Sequence, residues 1–230
     1  MDASVLKQFT CPPNAYRGKP FWSWNGRLEK DELIRQVHVL REMGCGGFFM
    51  HSRTGLVTEY LGDEWFDLIN ACSDEAEKLG MEAWLYDEDR WPSGTAGGMV
   101  TREPRYRTKY LRMTPVAAED FAWDDDRWQG QRPELGLVAA FSCDLDGMSY
   151  TNCRRITPDT PVSDYAGKTV LVCSTEEMYP QTFYNGETYL DTINREAVDK
   201  FIEITHELYK ERCGDRFGKS IKGVFTDEPG

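Results

Sequence analysis

Apolar residues in the first hundred positions alternate between two rhythms. Phe21-Trp22-Ser23-Trp24 is a short aromatic run stopped by the turn dipeptide Asn25-Gly26. Behind it, Leu33, Ile34, Val37 and Leu40 fall at helical spacing, and Gly44 supplies the left-handed residue that ends such a helix. Gly46 to Met50 is an apolar run without polar alternation, the pattern of a strand covered on both faces. Trp65, Leu68, Ile69, Cys72, Ala76 and Leu79 give a second amphipathic helix closed by Gly80, and Glu82 to Tyr86 give a third strand. From about 100 to 190 the rhythm changes. Tyr110 to Met113, Gly136 to Cys143 and Thr169 to Cys173 read as strands. Asp146-Gly147 and Asn185-Gly186 read as hairpin turns, the second flanked by Thr182 to Tyr184 and Glu187 to Tyr189, because both central residues of that turn take positive φ. Helical period returns with Val198, Phe201, Ile202, Thr205, Leu208 and Tyr209 behind Asn194, a suitable N-cap, and Ile221 to Thr226 is the last strand.

The order βα, βα, β, insert, α, β predicts an α/β fold with a parallel sheet. The expected architecture is the first half of a (β/α)8 TIM-like barrel with a small antiparallel β insert after strand three. Residues 1–99 would hold strands one to three and two helices, 100–190 the β-rich insert, and 191–230 the third helix and fourth strand. Periodicity alone leaves an open doubly wound sheet as the alternative. Four strands cannot close a barrel. A chain that stops straight after a strand is therefore expected to be truncated, with the downstream remainder of the same polypeptide as its partner.

Charge narrows the function classes. The chain carries 27 basic and 39 acidic side chains, a net charge of −12, and such a field repels a phosphate backbone, so no nucleic-acid partner is expected. No run of 18 apolar residues exists to cross a bilayer, and the opening MDASVLKQFT lacks the charged-then-apolar pattern of a leader. Seven scattered cysteines without a CxxC argue against a disulfide framework or zinc site, and reduced thiols place the expected location in the cytoplasm. Aromatics at 13% suit a large core or the C–H faces of sugars equally.

In parallel α/β sheets ligands gather at the carboxyl ends of the strands. Those ends carry Trp24 and Asn25, then His51, Ser52 and Arg53, then Asp87 to Trp91, then Asp227 and Glu228. Glycosidic cleavage needs one carboxyl to protonate the leaving oxygen and a second to activate water or attack. Glu228 and Glu88 are the candidate catalytic pair, with Trp22, Trp24, Asn25, His51, Arg53, Asp87, Asp89, Trp91 and Asp227 as substrate contacts and no metal ligand assigned. Strand alternation predicts Trp84, Tyr86 and Glu88 on one interior face, Asp87 on the helix side, and Glu228, Thr226 and Val224 turned inward with Asp227 outward. The plainer roles stay open. Asp87 to Arg90 can be a loop ion-pair network, Asp227 a helix N-cap, and Trp22, Trp24 and Trp91 core residues. His38 and His206 fall within helices and read as structural or solvated. Gly94 to Gly98 lacks the lysine and spacing of a phosphate loop.

Four blocks taken in order carry a family resemblance. They are Phe21-Trp-Ser-Trp-Asn-Gly26, Gly46-Gly-Phe-Phe-Met-His-Ser-Arg-Thr-Gly55, Ala83-Trp-Leu-Tyr-Asp-Glu-Asp-Arg-Trp-Pro-Ser-Gly94 with Ala96-Gly-Gly98, and Val224-Phe-Thr-Asp-Glu-Pro229. They resemble the α-L-rhamnosidase-like glycoside hydrolases, family 106 and its relatives. The resemblance implies hydrolysis of O-glycosidic bonds in oligosaccharides by inversion, with Glu228 as general acid, the base on a later strand, and calcium near the site. The residues themselves require no cofactor. Two other readings compete: a non-catalytic carbohydrate-binding barrel, and a metal-assisted barrel enzyme of other chemistry.

Overall fold

The computed structural model describes residues 3–230, so the first two positions of the segment read for a leader lie outside the described residues. The chain forms two compact units, residues 1–106 with 181–230, and residues 107–180. Both belong to a mixed α/β protein with one parallel and one antiparallel sheet, each of four strands.

The first unit runs α1 (Ala3–Thr10), β1 (Phe21–Trp24), α2 (Lys30–Glu42), β2 (Gly47–Ser52), α3 (Asp63–Lys78) and β3 (Glu82–Tyr86). After the second unit it resumes with α4 (Arg195–Ile202), a π-helical turn (Glu203–Glu207), α5 (Leu208–Cys213) and β8 (Ile221–Phe225). The strands lie in the order β1-β2-β3-β8, all parallel. Gly44 at φ 86° and Gly80 at φ 63° end α2 and α3 as their places in the pattern predict. Asn194 caps α4 by accepting from the Glu196 backbone N–H.

One face of this sheet meets the helices. Trp22, Trp24, Phe48, Met50, Ala83, Leu85 and Ile221 pack there with Val37, Trp65, Ile69, Cys72 and Tyr209 into one buried cluster. Burial of side chains this size, at about 25 cal/mol per Å² of apolar surface, is the main stabilising term of the unit. The Trp65 indole N–H donates to the Tyr209 hydroxyl at 3.1 Å, so that buried polar pair is satisfied.

The second unit is an antiparallel sheet of β4 (Lys109–Ala117), β5 (Gly136–Asp146), β6 (Ser149–Ile156) and β7 (Thr169–Glu177), in the order β4-β7-β5-β6. Its core is Ala118, Trp128, Ala140, Ile156, Tyr165, Val170 and Val172. The unit is shorter than the 100–190 insert read from sequence, because Val100, Tyr106 and Leu190 pack with Ala197 and Phe201 of the first unit.

Two turns differ from expectation. In the β5–β6 hairpin the loop residues are Gly147 and Met148, since Asp146 still pairs with Ser149; of these two only Gly147 takes positive φ. Asn185-Gly186 does not join two strands. Thr182–Tyr184 is a 3-10 turn closed by Asn185 in the left-handed region at φ 57°, and an isolated bridge joins Gln181 to Glu187.

Candidate active site at the carboxyl end of the parallel sheet

The face of the parallel sheet away from the helices is aromatic. Phe21, Phe49, Trp84 and Phe225 project from it, and Phe21 packs tilted against Phe49 at 5.2 Å and edge-on to Phe225 at 5.1 Å between centroids. Gly223 lies under Trp84, whose ring would sit 2.7 Å from a β-carbon there, so a side chain at 223 would displace the indole. Toward the carboxyl end this face continues as His51, Tyr86 and Asp227. The His51 and Tyr86 rings lie 3.7 Å apart, and the Tyr86 hydroxyl donates to Asp227 Oδ2 at 2.9 Å. Burial, reinforced by the Arg53 charge, lowers the His51 imidazole to about 4. Burial and the Asp227 carboxylate push the Tyr86 phenol well above its ordinary value.

This arrangement inverts the phase expected for β8. Phe225 and Asp227 face the sheet interior, whereas Val224 packs against the helix-side core and Thr226 bonds to Asp87. The expectation counted back from Glu228, and Glu228 has left the strand with φ 42°. On β3 the expected phase holds for Trp84 and Tyr86, and for Asp87 on the helix side.

Asp87 and Glu88 are fully buried and committed to the protein itself. Asp87 accepts from Ser93 Oγ at 2.5 Å and Thr226 Oγ1 at 2.6 Å, and it meets His206 Nε2 at 2.9 Å. His206 reaches it from the π-helical turn. Glu88 sits in a cage of backbone N–H groups. Its Oε1 accepts from Asp89 and Gly97, and its Oε2 from Gly94, Thr95 and Ala96 and from the Thr95 hydroxyl. Burial pushes the Glu88 carboxyl up to about 7 against the pull of those donors. With no accessible oxygen, Glu88 cannot touch a substrate as placed, which corrects its assignment to the catalytic pair. Asp87 is corrected likewise from substrate contact to internal anchor.

Asp89, the next residue, accepts from Ser52 Oγ and Asn185 Nδ2, both at 2.9 Å, and pairs with Arg90 at 3.1 Å. With Arg90, Tyr60, Met99, Arg102 and Asn185 it lines a cleft of about 370 Å³. Trp91 is 41% exposed, and its indole N–H donates to Glu228 Oε2 at 3.1 Å. Glu228, Arg53 and Asn25 are exposed at the strand ends. Trp22 and Trp24 are not part of this site. They point into the helix-side core, 9% and 1% exposed, because alternation along β1 gives the other face to Phe21 and Ser23. The sequence reads His206 only as a structural or solvated helix residue and Asn185 only as a turn residue, and each holds one of the expected acidic residues in place. Asn185 carried a signal, as a residue tolerant of the left-handed region at a predicted turn.

The donor set does not suit calcium, which takes six to eight oxygen ligands. Asp87 and Glu88 already spend their oxygens on protein donors, and Asp227 and Glu228 each have one oxygen engaged. Among the described residues no three or more His, Cys, Asp or Glu side chains converge as a metal site.

No family model matches the chain. Over 148 residues, 62% of its length, it is 22% identical to a protein of Formosa agariphila named "Putative beta-glucuronidase". Among solved structures, a rhamnosidase from Novosphingobium sp. PP1Y aligns with 64% of the chain at 21% identity and a TM-score of 0.43. The matched region spans 12% of the first protein and 16% of the second.

Proposed function

We propose that this chain supplies the acid/base carboxylate of a glycoside hydrolase acting on O-glycosidic bonds, and that Glu228 is that carboxylate. The observation that carries the reading is its setting. Glu228 is exposed just past the end of β8, with one carboxylate oxygen oriented by the Trp91 indole N–H at 3.1 Å and the other without a protein partner among the described residues. An acid catalyst needs this combination of fixed direction and open approach to a leaving oxygen. Glu88 takes a framework role, holding the loop from Asp89 to Gly97 that carries Trp91. The second carboxylate of the reaction is proposed to come from a further strand. The similar protein named as a glucuronidase and the block resemblance to rhamnosidases make β-glucuronides and α-L-rhamnosides the first substrates to try.

The barrel reading belongs to the same proposal. The parallel strands follow chain order, the helices cover one face, and the other is aromatic and half-exposed, as strands of an incomplete barrel would be. Release of 4-nitrophenol from the α-L-rhamnoside and the β-D-glucuronide tests the function in the intact protein. On the methyl glycoside of the active sugar, whose leaving oxygen needs a proton, Glu228→Gln should slow cleavage by about 100-fold or more, the usual scale of general acid catalysis. Turnover unchanged in that variant removes Glu228 from the mechanism.

A further inference from the structure

We infer that Phe183 and Trp91 together form a sugar-stacking subsite beside Glu228, taking pyranosides that present a face of C–H groups. The inference rests on the glycoside reading above and adds a residue to it from the segment that returns after the antiparallel unit. Phe183 is 44% exposed and Trp91 41%, with centroids 5.9 Å apart and planes at 79°. The two rings therefore form the walls of an open notch. The Trp91 N–H is spent on Glu228, so the polar edge of that indole is engaged next to the carboxylate. A sugar packed on the notch through its C–H face would carry its glycosidic oxygen beside Glu228.

The notch is built before any ligand arrives. Phe183 sits on the Thr182–Tyr184 turn, whose closing residue Asn185 donates from Nδ2 to Asp89 Oδ2 at 2.9 Å and to the Gly97 carbonyl at 3.1 Å. Below it, Phe183 packs edge-on to Tyr184 at 5.1 Å, and Tyr184 packs on Tyr189 at 5.7 Å. The Tyr189 hydroxyl in turn donates to the Ser93 carbonyl at 2.7 Å and accepts from the Gly230 N–H at 2.8 Å. The turn bearing Phe183 is thus tied to the Asp89–Gly97 loop and to the segment after Glu228. Two half-exposed aromatic rings held this firmly lose little entropy on binding, the property that makes aromatic anchors effective.

Calorimetric titration of the intact protein with methyl α-L-rhamnoside and methyl β-D-glucuronide tests the subsite without an aromatic aglycone. Phe183→Ala should weaken binding about 3- to 10-fold with an unaltered melting temperature, the scale of one aromatic contact. Phe183→Tyr should restore it, and Ile193→Ala, a change at another exposed apolar side chain, should leave it intact. Binding equal in wild type and Phe183→Ala, or no binding of either sugar to the wild type, overturns the subsite. Hydrolysis that depends on Glu228 while sugar affinity ignores Phe183 would keep the hydrolase reading and sink the subsite. Phe183-dependent binding without any hydrolysis would do the reverse.

Discussion

Replacing Asp87 with alanine separates an anchor from a substrate contact. The carboxylate accepts from the Ser93 and Thr226 hydroxyls and from His206, with no exposed surface of its own. Its removal leaves three polar groups short of a partner. A buried donor left unmade costs about 1–3 kcal/mol. Both hydroxyls can rotate and the His206 side chain is 35% exposed, so the low end applies to each, about 3 kcal/mol together. With a urea slope of roughly 2–3 kcal/mol per M for a protein of this size, the midpoint should fall by about 1 M. Tryptophan fluorescence follows the transition, because Trp24 and Trp65 lie in the core beneath the network. Thr226→Val alone removes one donor and should cost about 1 kcal/mol. Added to Asp87→Ala it should cost almost nothing more, since the bond is already gone. A midpoint unmoved by Asp87→Ala, with sugar affinity lost instead, would refute the anchor and return Asp87 to the substrate.

The other structural assignments have their own tests. Burial holds the folded His51 imidazole near 4 while the unfolded chain titrates near 6.5, so the unfolded state takes up the proton first. Stability should be intact above pH 6.5 and decline as the pH falls toward 4, by no more than about 3 kcal/mol, and His51→Gln should flatten that decline; a His51 resonance titrating near 6.5 in the folded protein would contradict it. Trp24→Ala should cost about 3–5 kcal/mol as a core truncation, against less than about 1 for Trp91→Ala, and equal unfolding midpoints would show that Trp24 is no core residue. The Glu88 cage predicts slow hydrogen exchange at the Thr95, Ala96 and Gly97 amides, although they sit in a loop. Exchange there at the rate of the Gly147 turn would disprove the cage.

Much of the scaffold was legible because it obeys simple periods. The third strand runs from Glu82 to Tyr86 in sequence pattern and structure alike, and Gly44 and Gly80 close the helices where the apolar stripes stop. The site was less legible because it begins where periods end. Counting alternation back from Glu228 put β8 in the wrong phase, since the left-handed turn at that residue breaks the count. Glu88 looked like a rim carboxylate, but the run of small residues from Ser93 to Gly98 lets backbone N–H groups close around it. That run lacks the lysine and spacing of a phosphate loop. Its actual anion is the protein's own side chain. His206 fell inside a helical stripe, and the π-helical turn, which inserts a residue into the helical phase, carries it to Asp87. A period of 3.6 cannot reveal such an insertion.

The role of Glu228 is tested most directly by leaving-group dependence in the Glu228→Gln variant of the intact protein. An acid catalyst matters in proportion to how badly the departing oxygen needs a proton. The account predicts that the variant cleaves a 2,4-dinitrophenyl glycoside at close to the wild-type rate while losing about 100-fold or more on the methyl glycoside of the same sugar. Equal losses on both substrates, or no loss on either, would contradict it.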